Sequence, residues 1–485
     1  MTSMRYSTLL TMLHRDWLLG VDAQVVVSRF QVNLSTLQQV TSTFNRRPTV
    51  LIAESEPSQF LAGFFAAVAC NCPVFLTNPA WKSSEWQQVW TQVLPDVVWG
   101  TIPEGDRLNE QNDGQVTQTI RTRVNRSTRD GWIMIPTGGT SGHIRFVIHT
   151  WETLTASVEG FRQFFQVDEV NAYCVLPLYH VSGLMQVLRC FVSAGTLAIA
   201  PFKTMEQSPK LHCNPGEYFL SLVPTQLQRL MRSPDHCAML AQFRTVLLGG
   251  APAWPALLDA ARSHRIPLAP TYGMTETASQ VVTLRPERFL DGQIGVGQVL
   301  PHAEISIQAL DKQPKPDASL ADVNRTDLAE SQTVGEIAIR CTSLAIGYYP
   351  DVWFESGVYH PDDIGYVDAH GNLQVMGRSS DKIISGGENI FPIDVETVIR
   401  STGLVADVVV LGISDRQWGQ RVTALCVPIH DTVTAEAIER ELIPRLSRYK
   451  HPKQWVLMSQ LPRNAQGKLN REELLKQVML SDAHD

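Results

Sequence analysis

The chain has 485 residues, 44% of them hydrophobic and 18% charged. At about 100–200 residues per domain this implies several folding units with large cores, and it excludes intrinsic disorder over most of the length. The 41 Lys and Arg against 48 Asp and Glu leave a formal charge of −7, with no basic stripe for a polyanion, so no nucleic-acid partner is expected.

The longest apolar run, residues 60–76, is interrupted by Asn71 and Pro73 and is too short to span a membrane. Arg5, His14, Arg15 and Asp16 break up the N-terminal leucines, which excludes a signal peptide. The eight cysteines have no CxxC spacing, with Cys70 and Cys72 the one close pair. Reduced thiols in a cytoplasmic protein are expected rather than zinc or disulfides.

A strand over 48–53, a helix over 57–69 and a strand over 74–76 set a β-α-β rhythm, which argues for parallel sheets covered by helices. Residues 104–130 and 311–332 are polar and read as surface connections. After Gly377 the units become short. A turn at Ser385-Gly386-Gly387 precedes a helix opening at Pro392, strands over 405–413 and 422–429, a helix over 435–446 and a strand over 454–458. That mixture reads as a small α+β domain, with the boundary at Arg378–Asp381.

The strongest local signal is Thr137-Gly138-Gly139-Thr140-Ser141-Gly142-His143, set between strand-like runs at 132–136 and 145–149. Glycines let backbone N–H groups approach an anion, and the hydroxyls add donors. The plain alternative is a glycine-rich hairpin without a ligand. A Walker A loop is excluded, because His143 follows the last glycine and a strand, not a helix, comes next. A G-x-S-x-G hydrolase elbow is excluded by the neighbours of Ser141.

Four further segments follow. Residues 271–277 form a short loop in which Tyr272 offers a ring for a base, Thr275 a hydroxyl for a phosphate and Glu276 a carboxylate for a hard cation. Gly250, Ala251 and Pro252 follow a strand-like run. Asp363 offers two oxygens to a ribose. Lys468 stands alone on a loop near the C-terminus. Each has an ordinary explanation singly: surface charge, a turn cap, an exposed lysine.

In this order and at these separations, the segments resemble the adenylate-forming superfamily of acyl-CoA synthetases, adenylation domains and luciferases, from about residue 60 to residue 471. Residues 177–183, 273–280 and 385–392 resemble most its o-succinylbenzoate–CoA ligase branch, which serves menaquinone and phylloquinone synthesis.

The resemblance implies an α/β fold. It has a large N-terminal domain of stacked β-sheets with covering helices (1–379, with the ATP and acyl sites) and a small mobile α+β C-terminal domain (380–485). It implies that Thr137, Gly138, Gly139, Thr140, Ser141 and Gly142 order the ATP β- and γ-phosphates. Gly250, Ala251 and Pro252 line the adenine pocket, and Tyr272 lies against the base. Thr275 meets the α-phosphate, Glu276 holds Mg²⁺, Asp363 binds the ribose and Arg378 precedes the hinge. Lys468 is the adenylation lysine. Gly386 and Gly387 move to the coenzyme A tunnel as the small domain turns about Ser380. ATP, Mg²⁺, coenzyme A and a small carboxylic acid are the implied ligands. No fused carrier domain is expected, and a homo-oligomer is left open.

Two departures stand out. The family's Gly-x-Pro-Lys reads Gly142-His143-Ile144-Arg145 here, and the hinge is Ser380 rather than Asp or Lys.

For the acyl group, His180, Ser182 and Arg189 lie on a segment that turns helical, with Arg189 two turns beyond Ser182. An arginine among Leu184, Val187, Leu188 and Phe191 suits a bidentate carboxylate contact; the alternative is an arginine snorkelling to the surface. A second carboxylate on the substrate favours the first. Other aryl or medium-chain acyl-CoA ligases, a carrier-protein loader and a non-catalytic nucleotide-binding paralogue are the competing readings.

Overall fold

A computed structural model describes residues 6–102, 129–138, 143–309, 333–350, 354, 357–463, 474–475 and 478. Gly139, Thr140, Ser141, Gly142 and Lys468 lie outside these residues, as do most of the two polar stretches.

The expected β-α-β unit forms with strands at Val50–Ala53 and Val74–Leu76 around a helix at Pro57–Ala69. Pro57 takes the first helical position, where no N–H is needed, and the Glu56 side chain accepts from the Ser58 N–H. This helix is apolar nearly all round, so it is buried on most sides. Phe60, Leu61, Phe64 and Phe65 are at most 1% exposed, and the Phe65 and Trp17 rings close on Phe191 at 4.3 and 5.1 Å between centroids. The continuous Val/Leu/Ile content of the strands matches burial on both faces of a parallel sheet.

The described strands form four sheets. A six-stranded sheet runs in the order Gly347–Tyr349, Ile144–His149, Ile133–Gly138, Val74–Leu76, Val50–Ala53, Val97–Gly100. An eight-stranded sheet contains, in sequence of pairing, Tyr218–Leu222, Thr245–Leu248, Leu268–Met274 and Ser279–Thr283. A four-stranded antiparallel sheet holds Asp363–Val367 beside Leu373–Arg378. The fourth sheet has five strands, from Ile383–Ser385 to Gln454–Leu457, and carries the helices Pro392–Ser401 and Ala435–Leu442 over a core that includes Val395, Ile399, Val410 and Ile438. The architecture is mixed α/β, with a large N-terminal part of stacked sheets and a small C-terminal α+β part. Among the described residues no helix is long and apolar enough to cross a membrane.

Both large sheets change direction at one place. In the six-stranded sheet, Ile133–Gly138 pairs parallel with Val74–Leu76 and antiparallel with Ile144–His149. In the eight-stranded sheet, Leu268–Met274 pairs parallel with Thr245–Leu248 and antiparallel with Ser279–Thr283. The motif residues Thr137, Gly138, Arg145, Tyr272 and Thr275 all sit at these two returns, beyond the carboxyl ends of parallel strands, where α/β sheets bind ligands.

Candidate functional site

The segment read from sequence as a loop, 271–277, is instead the end of a strand followed by a single 3-10 turn, Thr275–Thr277. Tyr272 and Gly273 are strand residues paired with Val282 and Gln280 across a bulge. Gly273 is required by that return: a Cβ there would come within 2.1 Å of the Ser279 carbonyl oxygen. Loop composition hides the strand, because threonine, tyrosine and glycine here answer to the neighbouring chain rather than to a hydrophobic period.

The turn is tied down by its carbonyls. Thr275 O accepts from His149 Nε2 at 2.7 Å, Glu276 O from the Ala345 N–H at 2.8 Å, Thr277 O from the Ser343 hydroxyl at 2.9 Å and Ala278 O from the Ser157 hydroxyl at 2.7 Å. Since a carbonyl can only accept, His149 carries its proton on Nε2. Its Nδ1 then accepts from the Thr153 hydroxyl at 2.9 Å. Thr150 caps the helix Trp151–Phe165, as expected, by accepting from the Thr153 N–H. Neither His149 nor Thr153 was singled out in the sequence. His149 looks like one more residue of a strand, and only the sheet-to-turn contact gives it a partner.

Glu276 is 6% exposed, so it is not surface charge. The Tyr348 hydroxyl donates to its Oε1 at 2.6 Å. Glu276 is a single buried carboxylate, and no cluster of three or more His, Cys, Asp or Glu among the described residues could hold a metal alone. That donor set fits Mg²⁺, which usually takes one or two carboxylates and completes its shell with water and substrate phosphates.

On the four-stranded sheet, Asp363 is 7% exposed. Its Oδ2 accepts from the Tyr272 hydroxyl at 2.6 Å, and Arg378 Nε stands 3.4 Å from Oδ1. Burial pushes the Asp363 carboxyl up, against the pull of Tyr272 and Arg378. Burial and then Asp363 raise the Tyr272 phenol, which stays the donor. One step before, Asp362 takes a positive φ of 65° and its Oδ2 accepts from the Ser380 N–H at 3.1 Å. The expected hinge residue is thus bonded to the neighbour of the expected ribose ligand. Gly250 follows the strand Thr245–Leu248 at φ +83°, and Ala251 and Pro252 are exposed beside it.

Arg189 is 3% exposed, which removes the snorkelling alternative. Its Nη2 donates to Ser279 Oγ at 3.1 Å and Gln280 Oε1 at 3.3 Å, and its guanidinium lies 4.1 Å over the Phe161 ring. No carboxylate among the described residues pairs with it, and its Nε has no partner. Burial lowers its pKa to about 9, so it remains cationic at neutral pH. On the same helix, Val181–Ser193, the Gln186 amide donates to the Ser182 carbonyl while its Oε1 is buried and unpartnered. Ser182 itself is exposed, and His180, 8% exposed, is the N-cap residue. The sequence reading missed His302. Its ring packs on Gly160, both of its nitrogens are buried without a partner, and burial together with the Arg189 charge lowers its pKa to about 4.

In the C-terminal sheet, Gly386 and Gly387 form the two-residue turn between Ile383–Ser385 and Glu388–Ile390, at φ +60° and +86°. Positive φ at both positions is the type I′ requirement that selects Gly-Gly. The Gly386 N–H donates to the Trp418 carbonyl at 2.8 Å.

The wiring of His149 has a pH signature. Burial lowers its pKa from 6.5 to about 4 in the folded chain. The unfolded chain therefore binds the extra proton between those values. The stability contribution is complete above about pH 6.5 and is lost as the pH falls toward 4. At about 1.36 kcal/mol per unit, a drop from pH 7.5 to 5 removes about 2 kcal/mol. Urea unfolding at both pH values should show that loss in the wild type and a correspondingly smaller one in His149→Gln. An equal loss in both would place the sensitivity elsewhere.

The AMP-binding enzyme family model matches residues 44–349, and the AMP-binding enzyme C-terminal domain model matches residues 394–468. The chain is 32% identical to the 2-succinylbenzoate–CoA ligase of Geobacillus sp. (strain WCH70) over 70% of its own length and 67% of that protein's. To the same-named ligase of Bacillus subtilis (strain 168) it is 33% identical, again over 70% and 67%. The solved o-succinylbenzoate CoA synthetase of Bacillus subtilis, in complex with its acyl-adenylate intermediate, superimposes with a TM-score of 0.75 at 25% identity, covering 96% of this chain and 97% of that one. A turn whose four carbonyls are met from three other segments lies inside the 44–349 match, and that match together with the 32% identity over two thirds of a curated relative places the chain in the AMP-binding enzyme family.

Proposed function

We propose that the chain is an AMP-forming 2-succinylbenzoate–CoA ligase that converts the acid first to an acyl-adenylate and then to its coenzyme A thioester, a step of menaquinone or phylloquinone synthesis. The observation that carries the substrate is Arg189, a buried cation with no carboxylate partner among the described residues. A buried guanidinium is costly unless an anion meets it. A dicarboxylic acid can supply one from its non-reacting end, and the one N–H of the neutral His302 ring, both of whose nitrogens are buried without a partner, offers it a further hydrogen bond.

In the first step a carboxylate oxygen of the acid attacks the α-phosphorus of ATP, and the bond to the bridging oxygen of pyrophosphate breaks. Two anions must approach, so the site has to hold fixed donors around the α-phosphate. Thr275 would present its hydroxyl there, from a turn whose carbonyls are all engaged. Tyr272 would lie against adenine, its ring orientation set by the bond to Asp363, while the remaining lone pairs of Asp363 accept from the ribose hydroxyls. Gly250, Ala251 and Pro252 would border the base. Thr137, Gly138, Gly139, Thr140, Ser141, Gly142 and Arg145 would receive the β- and γ-phosphates. Mg²⁺, when bound, supplies charge neutralisation between the phosphates, and Glu276 would hold it. Lys468 would add a charge at the α-phosphate.

In the second step the coenzyme A sulfur attacks the acyl carbon, the C–O bond to phosphate breaks, and AMP leaves with the electron pair. We assign the exchange between steps to rotation of residues 380–485 about Ser380. The rotation would withdraw Lys468 and bring Gly386 and Gly387 to the thiol's path, a gating motion of ordinary kind. His180 and Ser182 are assigned to the acyl end of the pocket.

Pyrophosphate release with ATP and a panel of carboxylic acids tests the reading; 2-succinylbenzoate should be the preferred acid, and preference for an acid with one carboxylate would overturn it. Arg189→Leu should lower kcat/KM for 2-succinylbenzoate by about 30- to several-thousand-fold, as expected from about 2–5 kcal/mol for a buried anion left unpaired. KM for ATP and turnover of benzoate should stay level, and equal losses for both acids would make Arg189 a fold residue. Lys468→Ala should slow adenylation by about 10²–10³ and spare thioester formation from supplied acyl-adenylate. Equal loss in both half-reactions would remove the lysine from the first step.

A further inference from the structure

Arg145 stands where the family carries lysine, and its surroundings give that change a physical reason. The strands Ile144–His149 and Gly347–Tyr349 pair antiparallel, with Tyr348 opposite Val147. Side chains alternate along a strand, so Arg145, Val147 and His149 share one face, and Tyr348 joins them from the partner strand. The Arg145 guanidinium lies 4.4 Å from the centre of the Tyr348 ring. Arg145 is exposed and makes no ion pair with a described residue. Stacking uses the face of the guanidinium and leaves the five N–H donors at its edge available.

The other end of the same ring meets Glu276. The Tyr348 hydroxyl has one proton, and it goes to Glu276 Oε1 at 2.6 Å. The Tyr359 hydroxyl, 3.2 Å away, then donates to the Tyr348 oxygen. The result is a short relay in which each bond polarises the next. The backbone of Glu276 is held by the Ala345 N–H, two residues before the strand that carries Tyr348.

We infer that Tyr348 is a positioning residue for nucleotide binding: its ring seats the Arg145 guanidinium and its hydroxyl fixes the Glu276 carboxylate, so one side chain sets both the cation beside the terminal phosphates and the carboxylate that meets their metal ion. The inference rests on the assignment of the site to ATP. It also accounts for arginine at position 145. A lysine ammonium is a compact, strongly hydrated charge with no planar face to lay on the ring, whereas a guanidinium stacks readily.

The test is calorimetric titration of the full chain with ATP, with and without Mg²⁺, in the absence of any acid or coenzyme A. Tyr348→Phe keeps the ring and removes the hydroxyl. Metal-free ATP should bind as in the wild type, while the gain in affinity on adding Mg²⁺ should shrink about tenfold, the scale of one hydrogen bond to a charged group. Arg145→Lys should weaken ATP about three- to fivefold in the wild type and by nothing further in a Tyr348→Leu background, where there is no ring to stack on. Melting curves qualify each variant as folded; if Tyr348→Leu fails, Tyr348→Met takes its place in the same cycle. A full Mg²⁺-dependent gain in Tyr348→Phe, or the same loss from Arg145→Lys in both backgrounds, would overturn the inference. No acid enters the titration, so a wrong acyl assignment would appear only in the carboxylate panel and a wrong assignment of Tyr348 only here.

Discussion

The short turn from Thr275 to Ala278 is buried and doubles back on itself, and a buried turn must find partners for carbonyls that no helix or sheet satisfies. Here four consecutive carbonyls are met by His149, Ala345, Ser343 and Ser157. The donors come from a strand of the six-stranded sheet, the chain leading into its edge strand, and the helix that covers it. Satisfying one turn therefore joins the two large sheets at the point where both reverse direction. A shift of either sheet would leave buried carbonyls unpaired at about 1–3 kcal/mol each.

The charges around this turn divide by how they are compensated. Asp363 and Glu276 are buried and each accepts from a phenol, Tyr272 and Tyr348 at 2.6 Å, with the Arg378 guanidinium a further 3.4 Å contact of Asp363 alone. A phenol steadies a carboxylate with a hydrogen bond and brings no countercharge of its own. Arg189 is treated differently: its neighbours are a hydroxyl, an amide oxygen and a ring, and none of them carries a negative charge. Among the described residues, the two carboxylates thus have donors of their own, whereas the Arg189 guanidinium has no anion beside it.

The link between the large and small parts of the chain follows the same economy. The Ser380 N–H is bonded to Asp362, the neighbour of Asp363. The buried Asp363 carboxylate and the backbone at Ser380 are therefore tied to one short segment. Asp362 is held at positive φ, a conformation that costs a non-glycine residue and persists only where the surroundings enforce it.

Much of this was legible in the sequence, for a local reason. The glycines at 386 and 387, the cap at Thr150, the first-turn proline at 392, and the apolar strands and helix around residues 50–76 are set by backbone preferences and periodicity, which act over a few residues. The motif residues could be named because their chemistry is carried by residue type and order. His149, Tyr348 and His302 could not be found that way. A histidine in a strand, a tyrosine in an edge strand and a histidine after a proline have no local mark of function; the partners of the first two lie 126 and 72 positions away along the chain, and the charge that acts on His302 belongs to Arg189. The first part of the loop expected at 271–277, up to Met274, is strand because its pairing partner, not its composition, decides its conformation. The choice between a snorkelling and a buried Arg189 likewise belonged to the packing of Phe161 and Ser279 around it. The sequence by itself determined which chemical groups were present and where the chain could turn; which groups meet, and which buried charge is left without a partner, was decided only when sheets distant along the chain were brought into register.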